Sequence, residues 1–202
     1  IIIKIKMNKI KFTPFPILKT ERLILRPINM SDDKEIFFMR SDKEMNKYIA
    51  RNLAKNISEA HEFIEKIKKG IKNNNWIFWG IQLKDNPTLI GTISIWNFTQ
   101  NKYVAEVGYN LMPDFQGKGI MDETLKKIIN YGFNTIQLKE IEANTQKENS
   151  SSRKLLEKND FTENKRWNEV GKKGLNRLMN TLTNDIYEVK GKTTFKEEFV
   201  TC

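Results

Sequence analysis

The run Gln116-Gly117-Lys118-Gly119-Ile120-Met121 sets two glycines one residue apart, directly ahead of an amphipathic stretch. Glycine enters left-handed backbone conformations without a steric cost. Such a run can therefore curl until several amide hydrogens converge on one point at the mouth of a helix, with the positive end of the helix dipole behind them. That arrangement suits a phosphate or pyrophosphate. Two better-known phosphate loops do not fit. Gly119-Ile120 follows Lys118 where a Walker turn needs Ser or Thr, and the third glycine of a dinucleotide fingerprint is missing.

The elements around this turn must hold it. From Tyr103 to Leu111 apolar and polar residues alternate, with Tyr103, Ala105, Val107, Tyr109 and Leu111 on one face and Val104, Glu106, Gly108 and Asn110 on the other. That period is a strand's. Pro113 stops the strand, because it has no amide hydrogen for a sheet ladder. After Gly119, Met121, Leu125, Ile128, Ile129 and Phe133 recur three or four apart, which predicts a helix from near residue 118.

The rest of the chain reads as one domain. Leu23, Leu25 and Ile28 mark a short strand. Ser31-Asp32-Asp33 reads as a helix start with Ser31 as cap and the acids at the dipole, and Ala60, Phe63, Ile64, Ile67 and Ile71 form the stripe of a second helix. His61, the sole histidine, sits on that helix and is assigned no role. Residues 76–83 are apolar on both faces, as in a strand covered on both sides, and residues 89–98 follow as its neighbour. Further strands are expected at 138–145, from 161 to 167 and at 185–190, with a helix at 149–159 carrying Leu155 and Leu156 inward and a polar loop at 169–184. Residues 1–17 read as an N-terminal arm, 18–190 as the domain and 191–202 as a tail.

With these elements in place, the glycine turn resembles the pyrophosphate loop of the GNAT N-acetyltransferase superfamily, whose pattern is Gln or Arg, two residues, Gly, one residue, then Gly or Ala. Gln116, Gly117, Lys118, Gly119 and Ile120 match in order, and Met121 departs at the last place. Thr20 to Pro27, TERLILRP, is similar to the first strand of the branch containing the ribosomal-protein N-terminal (Rim-like) acetyltransferases. Glu106-Val107-Gly108-Tyr109 resembles that branch's fourth strand. Asn149-Ser150-Ser151-Ser152 with Leu156-Glu157-Lys158-Asn159-Asp160-Phe161 resembles its NxxS and LEKxGF signatures, with Asp160 in place of glycine.

The resemblance implies a single-domain α/β fold, a mixed central sheet of about seven strands flanked by helices, whose fourth and fifth strands (residues 103–111 and 138–145) splay apart to admit acetyl-CoA. It implies acetyl transfer from that cosubstrate, without a metal, to a primary amine, with a ribosomal-protein N-terminus as the expected acceptor. Cofactor contacts then fall to the backbone of Leu111 and Met112, to Gln116, Gly117, Lys118, Gly119, Ile120 and Met121, and to Asn149 and Ser152. Glu106 becomes the expected base, with Glu142, expected to face outward, as second choice. A neighbouring branch protonates its thiolate with a tyrosine where Leu156 stands here, so Ser152 is the expected substitute, with Asn149 fixing the cofactor or a water. Read from the residues alone, Asn149 caps a helix and Ser152 lies in its first turn.

The acceptor decides how much help the base must give. An α-amino group, with a pKa near ~8, is about one-tenth neutral at pH 7, whereas lysine near ~10.4 is neutral about once in a few thousand molecules. Composition bears on the alternatives. Lys and Arg total 35 against 25 Asp and Glu, a net +10, which admits a ribosome- or nucleic-acid-binding module. The basic residues are scattered and form no stripe, so nucleic acid is not the favoured partner. A polyamine, amino acid or aminoglycoside acceptor is the alternative within the enzyme class. Cys202 is the only cysteine, and no stretch approaches the ~18 apolar residues of a membrane span. The expectation is a soluble cytoplasmic protein, a monomer or homodimer, with no membrane partner.

Overall fold

The computed structural model describes residues 10–99, 103–163 and, for the backbone alone, 175–181. Its strands are β1 (Leu18–Lys19), β2 (Leu23–Arg26), β3 (Ile77–Leu83), β4 (Gly91–Trp96), β5 (Val104–Leu111), β6 (Glu140–Gln146), β7 (Thr162–Glu163) and β8 (Leu175–Thr181), and its α-helices are α1 (Asp33–Ser41), α2 (Ile57–Lys72), α3 (Ile120–Tyr131) and α4 (Ser150–Lys158). The strands form one sheet in the order β1-β2-β3-β4-β5-β6-β8-β7. Six of the seven expected strands correspond to β2 through β7, and β1 and β8 are additional, so the strands expected as fourth and fifth are β5 and β6.

Residue period decides which face meets which helices. Ile77, Trp79, Ile81, Ile93, Ala105 and Val107 lie on the face that packs against Leu125, Ile128 and Tyr131 of α3 and Leu156 of α4. Phe78 turns the other way, into a cluster built from Ile36 and Met39 of α1 and Ala60, Ile64 and Ile67 of α2. This explains why β3 is apolar on both sides. Helix α2 follows its predicted stripe, and its first turn is capped by Asn56, whose Oδ1 accepts from the Glu59 amide at 3.2 Å.

β5 and β6 are the parallel pair, and they stay together for three residues only: Val104 beside Glu140, Ala105 beside Ile141, Glu106 beside Glu142. Beyond that point β5 remains bonded to β4 as far as Leu111, while β6 keeps its register with β8 to Gln146. Each strand follows its other neighbour, and a fork opens between them.

Two expectations are corrected. Within the stretch read as a loop, residues 175–181 are a strand, paired along its whole length with β6. Its sequence, LNRLMNT, lacks strict alternation, and pairing with β6 rather than local pattern makes it a strand. No side chain caps α1: the helix starts at Asp33 after a 3-10 turn. The Asp32 carboxylate instead accepts from the Arg26 guanidinium at 2.7 and 2.8 Å, and Arg26 also holds Gln82. His61, given no role, bonds Asp33 at 2.9 Å and so ties α2 to α1.

Residues 10–17 lie against the body. Phe12 is fully buried in the core, and Trp79 Nε1 donates to the Pro16 carbonyl at 2.8 Å. The strand expected at 185–190 and the tail at 191–202 lie outside the described residues.

Candidate active site

The glycine turn has the geometry its sequence suggests. Gly117 and Gly119 adopt φ of 71° and 74°, the left-handed region that an L side chain enters only at a cost. Gly119 is the N-cap of α3, and no side chain caps that end. Among the described residues no main-chain carbonyl accepts from the amides of Gly117, Lys118 or Gly119. A Cβ built on Gly117 would meet nothing within 4 Å. Open space, uncapped amides and the dipole of a 12-residue helix therefore coincide.

The side chains at the end of this run turn inward. Ile120 is 4% and Met121 8% exposed, both within the core. The Met121 departure from the family pattern is thus accommodated by packing, and the loop presents the backbone there. Gln116 ties the turn to the strand before it, its Nε2 donating to the Leu111 carbonyl at 2.8 Å. The Met112 amide donates to Ile90 O at 2.9 Å, and its carbonyl accepts from Phe115 at 3.0 Å. Both carbonyls and the Met112 amide thus have partners within the chain, each carbonyl keeping a second lone pair.

Arg22 was not singled out in the sequence, yet it braces the loop. Its Nη1 donates to Lys118 O at 3.0 Å, its Nε to Glu123 Oε2 at 2.6 Å and its amide to Glu123 Oε1 at 2.9 Å. Burial pushes the Glu123 carboxyl up, but hydrogen bonds from Thr20 and Arg22 outweigh it and hold the group below its ordinary value. Arg22 stands within the quoted TERLILRP strand, though nothing local points from it to residue 118, 96 positions away.

At the base of the fork, Glu106 and Glu142 are adjacent on parallel strands, 3% and 7% exposed. Glu142 faces away from Ile141 and Ala143, as strand alternation requires, but is buried on that face. Gly108 is in register with Ser94 and Ser94 with Phe78, so Glu106, two residues from Gly108, lies on the α1–α2 side of the sheet. Asn97 was also missed. It sits just past β4 in a left-handed conformation, φ 52°, and its Nδ2 donates to Glu106 Oε2 at 3.3 Å.

Asn149 and Ser152 lie across the fork at the start of α4. Asn149 Oδ1 accepts from the Ser152 amide at 3.1 Å, the capping geometry its residue type predicts. Ser152 is 6% exposed, and its Oγ lies 2.8 Å from the Tyr109 hydroxyl. Leu156, where a neighbouring branch carries tyrosine, is buried in the core. Asp160, in place of the usual glycine, follows α4 at φ 63°.

The described residues hold no group of three or more His, Cys, Asp or Glu placed for a metal and no helix long and apolar enough to cross a membrane. The chain is 35% identical over 147 residues to the uncharacterized N-acetyltransferase YoaA of Bacillus subtilis (strain 168), covering 73% of this chain and 83% of that protein. Its fold matches the ribosomal-protein-S5-alanine acetyltransferase of Vibrio fischeri with a TM-score of 0.68 at 23% identity, covering 84% of this chain and 98% of that one. It also matches the microcin C7 self immunity acetyltransferase MccE, in complex with acetyl-CoA and AMP, with a TM-score of 0.69 at 21% identity, covering 80% and 93%. Residues 22–162 match the acetyltransferase (GNAT) domain model, and the chain belongs to that family, as an N-acetyltransferase that uses acetyl-CoA.

Proposed function

We propose that this enzyme acetylates the α-amino group of a peptide or protein, of the ribosomal-protein kind. The observation that carries the reading is the placement of the buried Glu106 carboxylate, beside that of Glu142, on the α1–α2 side of the fork. An N-terminal amine needs only modest help from a base, since about a tenth of it is neutral at pH 7. A lysine acceptor would need far more. The ribosomal-protein acetyltransferase of Vibrio fischeri, which shares the fold, supports the same acceptor class.

The residues fit acetyl-CoA. The open cradle over Gly117 and the amides of Gly117, Lys118 and Gly119 would take its diphosphate, with the first-turn amides of Ile120 and Met121 behind them. The fork between β5 and β6 would take the pantetheine arm. Thr145, on β6 beyond the parting of the strands, keeps a buried hydroxyl with no partner among the described residues, as a ligand-lined wall would. When bound, acetyl-CoA supplies an activated acetyl group on a thioester. Glu106, oriented by Asn97, would hold the proton the amine gives up. Ser152 would hydrogen-bond the departing sulfur, with Asn149 fixing the helix end that presents it.

Calorimetry with acetyl-CoA, coenzyme A and ATP tests the cosubstrate. Acetyl-CoA should bind and ATP should not, and Gly119→Arg should abolish binding by filling the anion seat. Thiol release with a panel of peptides and small amines tests the acceptor. Preference for free peptide N-termini supports the reading, and preference for polyamines overturns it.

A further inference from the structure

On the α3–α4 side of the sheet, the Tyr109 and Ser152 hydroxyls meet at 2.8 Å across 43 residues of sequence. Tyr109 belongs to β5 beyond the point where that strand leaves β6, and Ser152 to the first turn of α4. The bond therefore spans the two arms of the fork. Val107, one position along the same face as Tyr109, belongs to the same core cluster as Leu156 of α4. Glu106 lies on the opposite face. A group that accepts a proton and a pair of groups that can donate one thus flank the opening from its two sides.

Resting on the acetyltransferase reading above, we propose that Tyr109 is the proton source behind Ser152. A serine hydroxyl is a weak acid, poorly matched to protonating a thiolate; the cysteine thiol, for comparison, titrates near ~8.5. Phenols as a class titrate near ~10, much closer to a thiol. Brønsted behaviour favours the matched donor. With Tyr109 donating to Ser152, the serine's own hydrogen can turn to the fork. As the acceptor nitrogen bonds the acetyl carbon and the carbon–sulfur bond breaks, the electron pair of the broken bond passes to sulfur. Ser152 gives its hydrogen to that sulfur and takes the hydrogen of Tyr109. Glu106 meanwhile gains the proton the amine loses, so the turnover is balanced, and exchange with water restores both residues. The amino end of α4 adds its dipole at the same place and favours the anionic sulfur. Tyr109 is in this scheme a positioning and proton-feeding residue that acts through Ser152.

The test needs no knowledge of the acceptor. The thiol of coenzyme A bound to the enzyme is titrated by ultraviolet thiolate absorbance, beside the free thiol, with acetyl-CoA affinity measured in parallel by calorimetry. In the wild type the bound thiol should titrate about one pH unit lower than the free one, the shift expected of one charge-assisted hydrogen bond. Tyr109→Phe, which keeps the Ser152 donor but removes the phenol behind it, should lose a measurable part of that shift with acetyl-CoA affinity changed less than about twofold. Fluorotyrosine placed at position 109, a more acidic phenol, should restore it. A Tyr109→Phe enzyme whose bound thiol titrates as in the wild type overturns the proposal, as does a wild type that binds coenzyme A without lowering its thiol. A wild type that binds neither acetyl-CoA nor coenzyme A overturns the acetyltransferase reading itself.

Discussion

Arg22 grips Glu123 through two bonds at once, Nε to Oε2 at 2.6 Å and amide to Oε1 at 2.9 Å. The pair joins the start of β2 to the first turn of α3, and the same guanidinium reaches Lys118 O. As Arg22 is 46% exposed, its effect on global stability is small, and its consequence is local order in the loop. Arg22→Ala should raise the KM for acetyl-CoA roughly threefold to tenfold while kcat changes little. Steady-state kinetics at fixed acceptor checks this, and a fall confined to kcat would count against a loop-holding role.

Glu106 and Glu142 are neighbours, but only Glu106 is held by Asn97. Glu106→Gln keeps the volume and the Asn97 contact while removing the base. It should lower kcat about a hundredfold or more with acetyl-CoA binding intact. Glu142→Gln should cost less. Equal losses in the two variants would show that the carboxylates act as one unit.

Asp122 gathers three donors, Lys158 Nζ and Asn159 Nδ2 at 2.9 Å and Lys126 Nζ at 3.1 Å. Burial alone would raise its pKa, but these bonds prevail and bring it to about 2. A depressed carboxylate contributes stability that is complete above its unfolded value of 3.8 and is lost as pH falls through about 2. The group is 15% exposed, and its share is about 1 to 2 kcal/mol. Denaturant midpoints measured from pH 6 down to about 2 should fall in the wild type and fall less in Asp122→Asn. Because Asp122 lies on α3 and two of its donors follow from α4, the same variant should loosen α4.

Asp160 holds a left-handed backbone, φ 63°, just past the end of α4. Aspartate tolerates that region at a cost that glycine does not bear. Asp160→Gly should stabilise the fold by about 0.5 to 1 kcal/mol, read as a higher thermal midpoint. A lower midpoint would mean that the Asp160 side chain contributes more than its backbone costs.

Much of the fold follows from patterns confined to a few residues. Glycines two positions apart before a 3.6-residue apolar period are enough to specify a left-handed turn and a helix mouth, because both depend on local sterics. The alternating run into Leu111 and the stripe of α2 are legible for the same reason, and so is the Asn149 cap, which bonds a residue three positions on. The family signatures join these pieces in order. What the chain order leaves open depends on which residues meet at long range. Residues 175–181 form a strand through pairing with β6. Glu142 is buried where β6 lies between β5 and β8, and Met121 points inward because the core has room for it. The Arg22 brace and the Tyr109–Ser152 bond join residues 96 and 43 positions apart, distances at which spacing carries no signal and only the packed sheet and helices bring the groups within reach.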